Sequence, residues 1–136
     1  MKEQPLTGDK VDELLHFLLL FEVPGRDFIK KWSGGERTEG GAITTPYPVY
    51  AEDVQEFHRL ASQPCWSDHG YRAEEARKML EDDEFIAHAT VDNIKTMLTY
   101  CVRGERFSDG HWARMLESGR VVAVLKRLEV LRKTMV

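Results

Sequence analysis

Cysteine is scarce in this chain: Cys65 and Cys101 are the two among 136 residues. So few thiols exclude a disulfide-dense scaffold, and the opening MKEQPLTGDK lacks the basic and then apolar layout of a secretory signal, so reduced thiols in the cytoplasm are expected. Long apolar runs are missing too. The strongest, Phe17 to Phe21, falls far short of the roughly 20 helical residues that cross a bilayer, so no membrane span is expected. There is no basic excess either. A formal net charge of -4 disfavours a dedicated duplex-DNA binder, which presents surplus Lys and Arg to phosphates. Internal repeats, low-complexity tracts and a linker long enough to divide domains are absent.

What is present fits one ordinary globular domain spanning 1–136, with 42% hydrophobic and 31% charged residues. A chain of this length can bury about two thirds of the surface it exposes when unfolded. Apolar residues recur at helical spacing in several segments. Val11, Leu14, Leu15, Leu18 and Phe21 predict a first helix capped by Asp9 and stopped at Pro24 and Gly25, with His16 at its surface or rim. Phe17 and Leu20 widen its apolar stripe, so neighbours on two sides or a second subunit are expected. A helical turn is expected over Arg26 to Trp32. The Gly- and Pro-rich stretch GGERTEGGAITTPYPVY follows, with a small hairpin pairing Glu36–Thr38 with Ala42–Thr44, and Tyr47 and Tyr50 on an extended segment between and after Pro46 and Pro48.

Val54, Phe57, Leu60 and Ala61 predict a second helix ending near Pro64, and YRAEEARKML a third, anchored by Met79 and Leu80. Thr90 is placed to cap a strongly amphipathic helix through Ile94, Met97, Leu98, Cys101 and Val102, stopped by a left-handed Gly104. Ser108 then starts a helix carrying Trp112, Met115 and Leu116 inward. After Gly119 a last helix buries Val121, Val124, Leu125, Leu128 and Leu131. The predicted fold is mainly α: a single compact bundle of about five or six helices, with an irregular or hairpin segment near residues 33–50. Leu15, Leu18, Phe57, Ile94, Leu98, Trp112, Leu125 and Leu128 are its expected core.

The connector RGERFSDGHW concentrates the chemistry-bearing side chains. Arg103 and Arg106, with free amides near Ser108, are residue types that hold a phosphate or carboxylate, and Glu105, Asp109 and His111 are types that move protons. The competing reading makes Gly104 a stop, Ser108 a cap, Phe107 and Trp112 core residues, and the acids partners of the arginines, so that the connector is a junction. Cys65, Asp68 and His69, with His58, are metal-ligand or thiol and imidazole types, but their spacing matches no zinc pattern; a buried thiol beside Trp66 is expected, and Cys101 is a core residue. WSGGERTEGG lacks the Lys followed by Ser or Thr of a phosphate loop. Trp32, Tyr47 and Tyr50 are expected to form an aromatic wall against Phe57 or Trp112, whose flat rings could hold a ligand or close the core, with core closure the expected role. Arg120, Lys126, Arg127, Arg132 and Lys133 make the C-terminal segment basic. Such cations suit the end of a helix, and a solvated basic face is expected there ahead of a nucleic-acid contact.

The strings KKWSGGE, TTPYPVY and LTYCVRGERFSDGHWARMLESG resemble an uncharacterised prokaryotic family, domain of unknown function 6508. The resemblance runs from about Leu14 to Leu131. It implies a small, mostly helical stand-alone protein, and it supplies no activity, cofactor or catalytic residue.

No complete catalytic signature is present, so no catalytic residue, metal or cofactor is assigned. The expected function is a noncatalytic cytoplasmic binding or protein-interaction module, a homodimer or the binder of a protein partner, whose surface joins the segment after Trp32 to the 103–112 connector. The alternative is a small enzyme or regulator binding an anionic metabolite or nucleotide there. The candidate ligand-binding residues are Arg103, Glu105, Arg106, Ser108, Asp109, His111 and Trp112.

Overall fold

A computed structural model describes residues 6–34, 40–41, 46–104 and 110–135. Among these, the chain is mainly helical, with one two-stranded antiparallel sheet. The helices are α1 (Gly8–Leu15), α2 (Leu18–Phe21), α3 (Glu52–Ala61), α4 (Ala73–Glu81), α5 (Asp83–Ala87), α6 (Val91–Arg103), α7 (His111–Glu117) and α8 (Arg120–Arg132); the strands are β1 (Ile29–Ser33) and β2 (Tyr47–Tyr50). The short α5 is an addition to the helices read from periodicity. No helix among the described residues is long and apolar enough to cross a membrane.

The expected first helix is divided. Thr7 rather than Asp9 is its cap, accepting from the Lys10 amide at 3.4 Å, while Asp9 lies within the first turn. The helix tightens at His16 and Phe17, where the Phe17 amide reaches the Leu14 carbonyl at 3.1 Å. That break turns Phe17, Leu18 and Phe21 all inward. Phe17 and Phe21 meet the Phe57 ring edge-on at 5.4 and 5.1 Å, and Phe21 meets Phe28 at 5.7 Å. Leu19 is left 80% exposed.

A strand replaces the helical turn expected over Arg26 to Trp32. Asp27 accepts the Ile29 amide at 3.0 Å, starting a turn that leads into extended backbone. Ile29 and Trp32 then pair with Tyr50 and Pro48, and Lys31 and Ser33 with Val49 and Tyr47, around an irregularity at Lys30. Branched and aromatic residues suit such a pleated pair better than a short isolated helix. The hairpin expected between Glu36–Thr38 and Ala42–Thr44 lies outside the described residues. Tyr47 and Tyr50 are extended as anticipated. Arg26 fastens the strand entry to α3: its guanidinium is paired with the Asp53 carboxylate and stands 5.0 Å from the Phe28 ring centre.

Helix α6 starts as its sequence predicts. Thr90 and Asn93 exchange hydrogen bonds of 3.0 and 3.1 Å between side chain and backbone, satisfying two terminal amides. Its inner face buries Ile94, Met97, Leu98, Cys101 and Val102. Thr99 is also buried, and it accepts the Asp68 amide at 2.9 Å, which fixes the loop leading to α4. Helix α8 runs through the middle of the molecule, packed against α1, α2, α5, α6 and α7. Val121, Val124, Leu125 and Leu128 are fully buried along it. Of the expected core residues, Leu15 is only partly buried, as is Leu131 of the last helix.

Candidate functional site

Of the connector, Arg103 and Gly104 close α6 and Gly110 to Trp112 open α7, and three contacts hold α7. Trp112, 1% exposed, stacks on Phe57 with ring centres 5.7 Å apart, and the His58 imidazole meets it edge-on at 5.3 Å. The Tyr50 hydroxyl accepts the Ala113 amide at 3.2 Å, tying α7 to β2. Gly110, at φ 87°, is the residue before the helix, and a β-carbon there would stand 3.7 Å from the Trp32 indole. A glycine is required at that left-handed position. It therefore replaces Ser108 as the start of the helix.

Gly104 behaves differently from expectation. Its φ of -60° is right-handed, so it is no left-handed stop. Glycine is needed there because the His111 ring lies against its α-carbon; any β-carbon would overlap the imidazole. His111 is buried in consequence, with the Tyr100 ring edge-on at 4.9 Å.

The predicted site residues are thus divided among different environments. Arg103 stands over the Tyr71 ring, 5.3 Å from its centre. His111 is packed between Gly104 and Tyr100 and lines a cleft toward α4, while Trp112 belongs to the core. Glu105, Arg106, Ser108 and Asp109 lie outside the described residues. The aromatic wall also divides: Phe57 and Trp112 close the core, whereas Trp32 and Tyr47 remain 56% and 51% exposed.

Sequence reasoning missed a groove of about 400 Å³ between β1 and α7, lined by Lys30, Lys31 and Trp32 on one side and by Ala113, Arg114 and Glu117 on the other. The adjacent lysines before Trp32 were visible. What could not be seen was that this segment is a strand laid beside α7. Among the described residues β1 pairs with β2 alone, so its outer edge retains backbone donors and acceptors that can pair with another strand.

The other candidate chemistry is occupied by structural contacts. His58 Nε2 is 3.1 Å from the Val102 carbonyl, and Asp68 accepts from Thr96 at 2.6 Å and from the Gly70 amide at 3.0 Å. No group of three or more His, Cys, Asp or Glu able to hold a metal occurs among the described residues. Both cysteines are free and buried; burial raises the Cys65 thiol and pushes Cys101 up to about 12. On α8 the cations are dispersed, with Arg120 on Asp83, Lys126 near Glu22, Arg127 on the Ala89 carbonyl and Arg132 on Asp12.

Comparison with curated proteins and with solved structures finds no match. The family model described as a family of unknown function, DUF6508, matches residues 6–134, nearly the whole described fold with its hairpin, groove and α7, and the chain belongs to that family.

Proposed function

We propose that this protein is a noncatalytic cytoplasmic binding module that takes an extended, acidic segment of a partner protein into the groove between β1 and α7. The observation that carries this reading is the groove itself. An edge strand with an open side, a helix facing it and an exposed Trp32 form one trough. Main-chain pairing along β1 would supply affinity, and Trp32 a flat apolar contact. Lys30 and Lys31 stand side by side along the strand that lines the groove, which favours an acidic occupant. The free, buried thiols suit a reducing compartment.

Fluorescence anisotropy with labelled extended peptides, rich in Glu and Asp or in Lys and Arg, tests the proposal. Acidic peptides are expected to bind and to alter tryptophan emission, while basic ones do not. Lys31→Glu should weaken binding about tenfold or more, and Trp32→Ala should remove most of it. Equal binding of both peptide classes, or indifference to Trp32→Ala, would overturn it.

A second copy of this chain is the competing partner, favoured by the exposure of Leu19 at 80% and Val23 at 53%. Sedimentation would then show mass rising with concentration, and Leu19→Glu would abolish the rise.

A further inference from the structure

On the face of α7 adjoining the β1 groove, a second cleft of about 310 Å³ opens between α4, α6 and the start of α8. We propose that it binds a small organic anion, a carboxylate carried on an aromatic or similarly flat apolar body. The site is separate from the β1 groove, although Arg114 borders both.

Arg77 of α4 and Arg120 of α8 converge on this lining, each beside a carboxylate, Glu81 and Asp83. A guanidinium offers a planar fork of N–H donors that matches a carboxylate in two-point contact. Arg77 pairs with Glu81 at 3.1 Å and Arg120 with Asp83 at 2.8 Å. Both pairs are solvent-accessible, Glu81 and Asp83 being 57% and 88% exposed in their side chains. An exposed pair of this kind contributes little to stability, so an incoming carboxylate can displace the acid at small cost.

The helix ends add to the same field. Ser118 and Arg120 bring the start of α8 to the rim. That helix is preceded by a left-handed Gly119 and has no side-chain hydrogen bond capping it. The positive end of a 13-residue helix favours negative charge there. The remaining wall is apolar: Leu80, Met115 and the Tyr100 ring, with buried His111 held edge-on against Tyr100. A bare inorganic ion would leave the partly exposed Tyr100 and Met115 without a partner. A flat ring between Tyr100 and Met115 would cover them, and the volume is at the small end of the range for ligand sites.

Nuclear magnetic resonance titration of the full chain tests this with benzoate as the probe, benzamide as its neutral counterpart and sodium sulfate as a bare anion. Benzoate should move the Tyr100, His111 and Met115 signals to saturation with a Kd on the order of millimolar, as befits so few atoms. Benzamide and sulfate should each bind at least about tenfold more weakly. Arg77→Gln combined with Arg120→Gln should weaken benzoate by about tenfold or more while leaving the circular dichroism spectrum unchanged. Ser118→Glu, which sets a carboxylate at the exposed rim, should do the same without touching either arginine. Equal binding of benzamide or of sulfate, benzoate shifts confined to other surfaces, or affinity unaltered in both variants would overturn the proposal. Loss of peptide binding at Trp32→Ala with benzoate binding intact would show that the two sites stand independently.

Discussion

Gly104 is set by a neighbour rather than by its own backbone. At a right-handed helical φ of -60°, replacing glycine by alanine ordinarily stabilises by about 1 kcal/mol. Here the added methyl meets the His111 ring. Gly104→Ala is therefore expected to destabilise by roughly 1–3 kcal/mol, the cost of overpacking, and His111→Ala in the same chain should recover part of the loss; urea denaturation of the single and double variants measures both. Asp53 offers a second test. The Arg26 hydrogen bonds hold its carboxyl below the ordinary value of 3.8. A depressed folded-state pKa stabilises the fold above that ordinary value, and the contribution disappears as pH falls through the folded one. Asp53→Asn should cost about 1–2 kcal/mol at neutral pH, and its melting temperature should converge on that of the parent as pH drops below 3.8.

Among the elements, α6 was the most legible in the sequence because every signal that forms it is local. Its cap and its inner stripe are all fixed within the segment, and Thr90→Ala is expected to lose about 1 kcal/mol in thermal denaturation while Thr90→Ser loses little. The first strand of the hairpin and its pairing were illegible for the opposite reason, although Tyr47–Tyr50 was read as extended. Ile29–Ser33 has no helical or strand signature of its own, and its partner Tyr47–Tyr50 is distant in sequence; the pairing is specified by Arg26 on Asp53, by the Asp27 turn and by Tyr50 reaching Ala113. The break within the first helix was hidden likewise, since the Phe57 ring that Phe17 turns to meet belongs to α3. For the candidate site, composition singled out His111 and the aromatic Trp32. Arg77, Arg114 and Arg120 come together only through the packing of α4, α7 and α8, and spacing along one chain carries no sign of that.

At the scale of the whole molecule, α8 is the helix on which the others lean. Leu128 has no exposed surface, whereas Val130, two residues along, is 50% exposed. Leu128→Ala should cost about 2–5 kcal/mol in urea denaturation and Val130→Ala about 0.5 kcal/mol or less. The far end of that helix returns to the beginning of the fold, where Arg132 grips Asp12 at 2.9 and 3.2 Å and lies over Gly8. Gly8 and Arg132, near the two ends of the described fold, consequently lie side by side. A flexible Gly/Ser bridge of about five to ten residues is expected to join the two ends of the described fold. With the backbone reopened at the solvent-facing turn of His69 and Gly70, a circularly permuted chain is expected to fold to the same architecture.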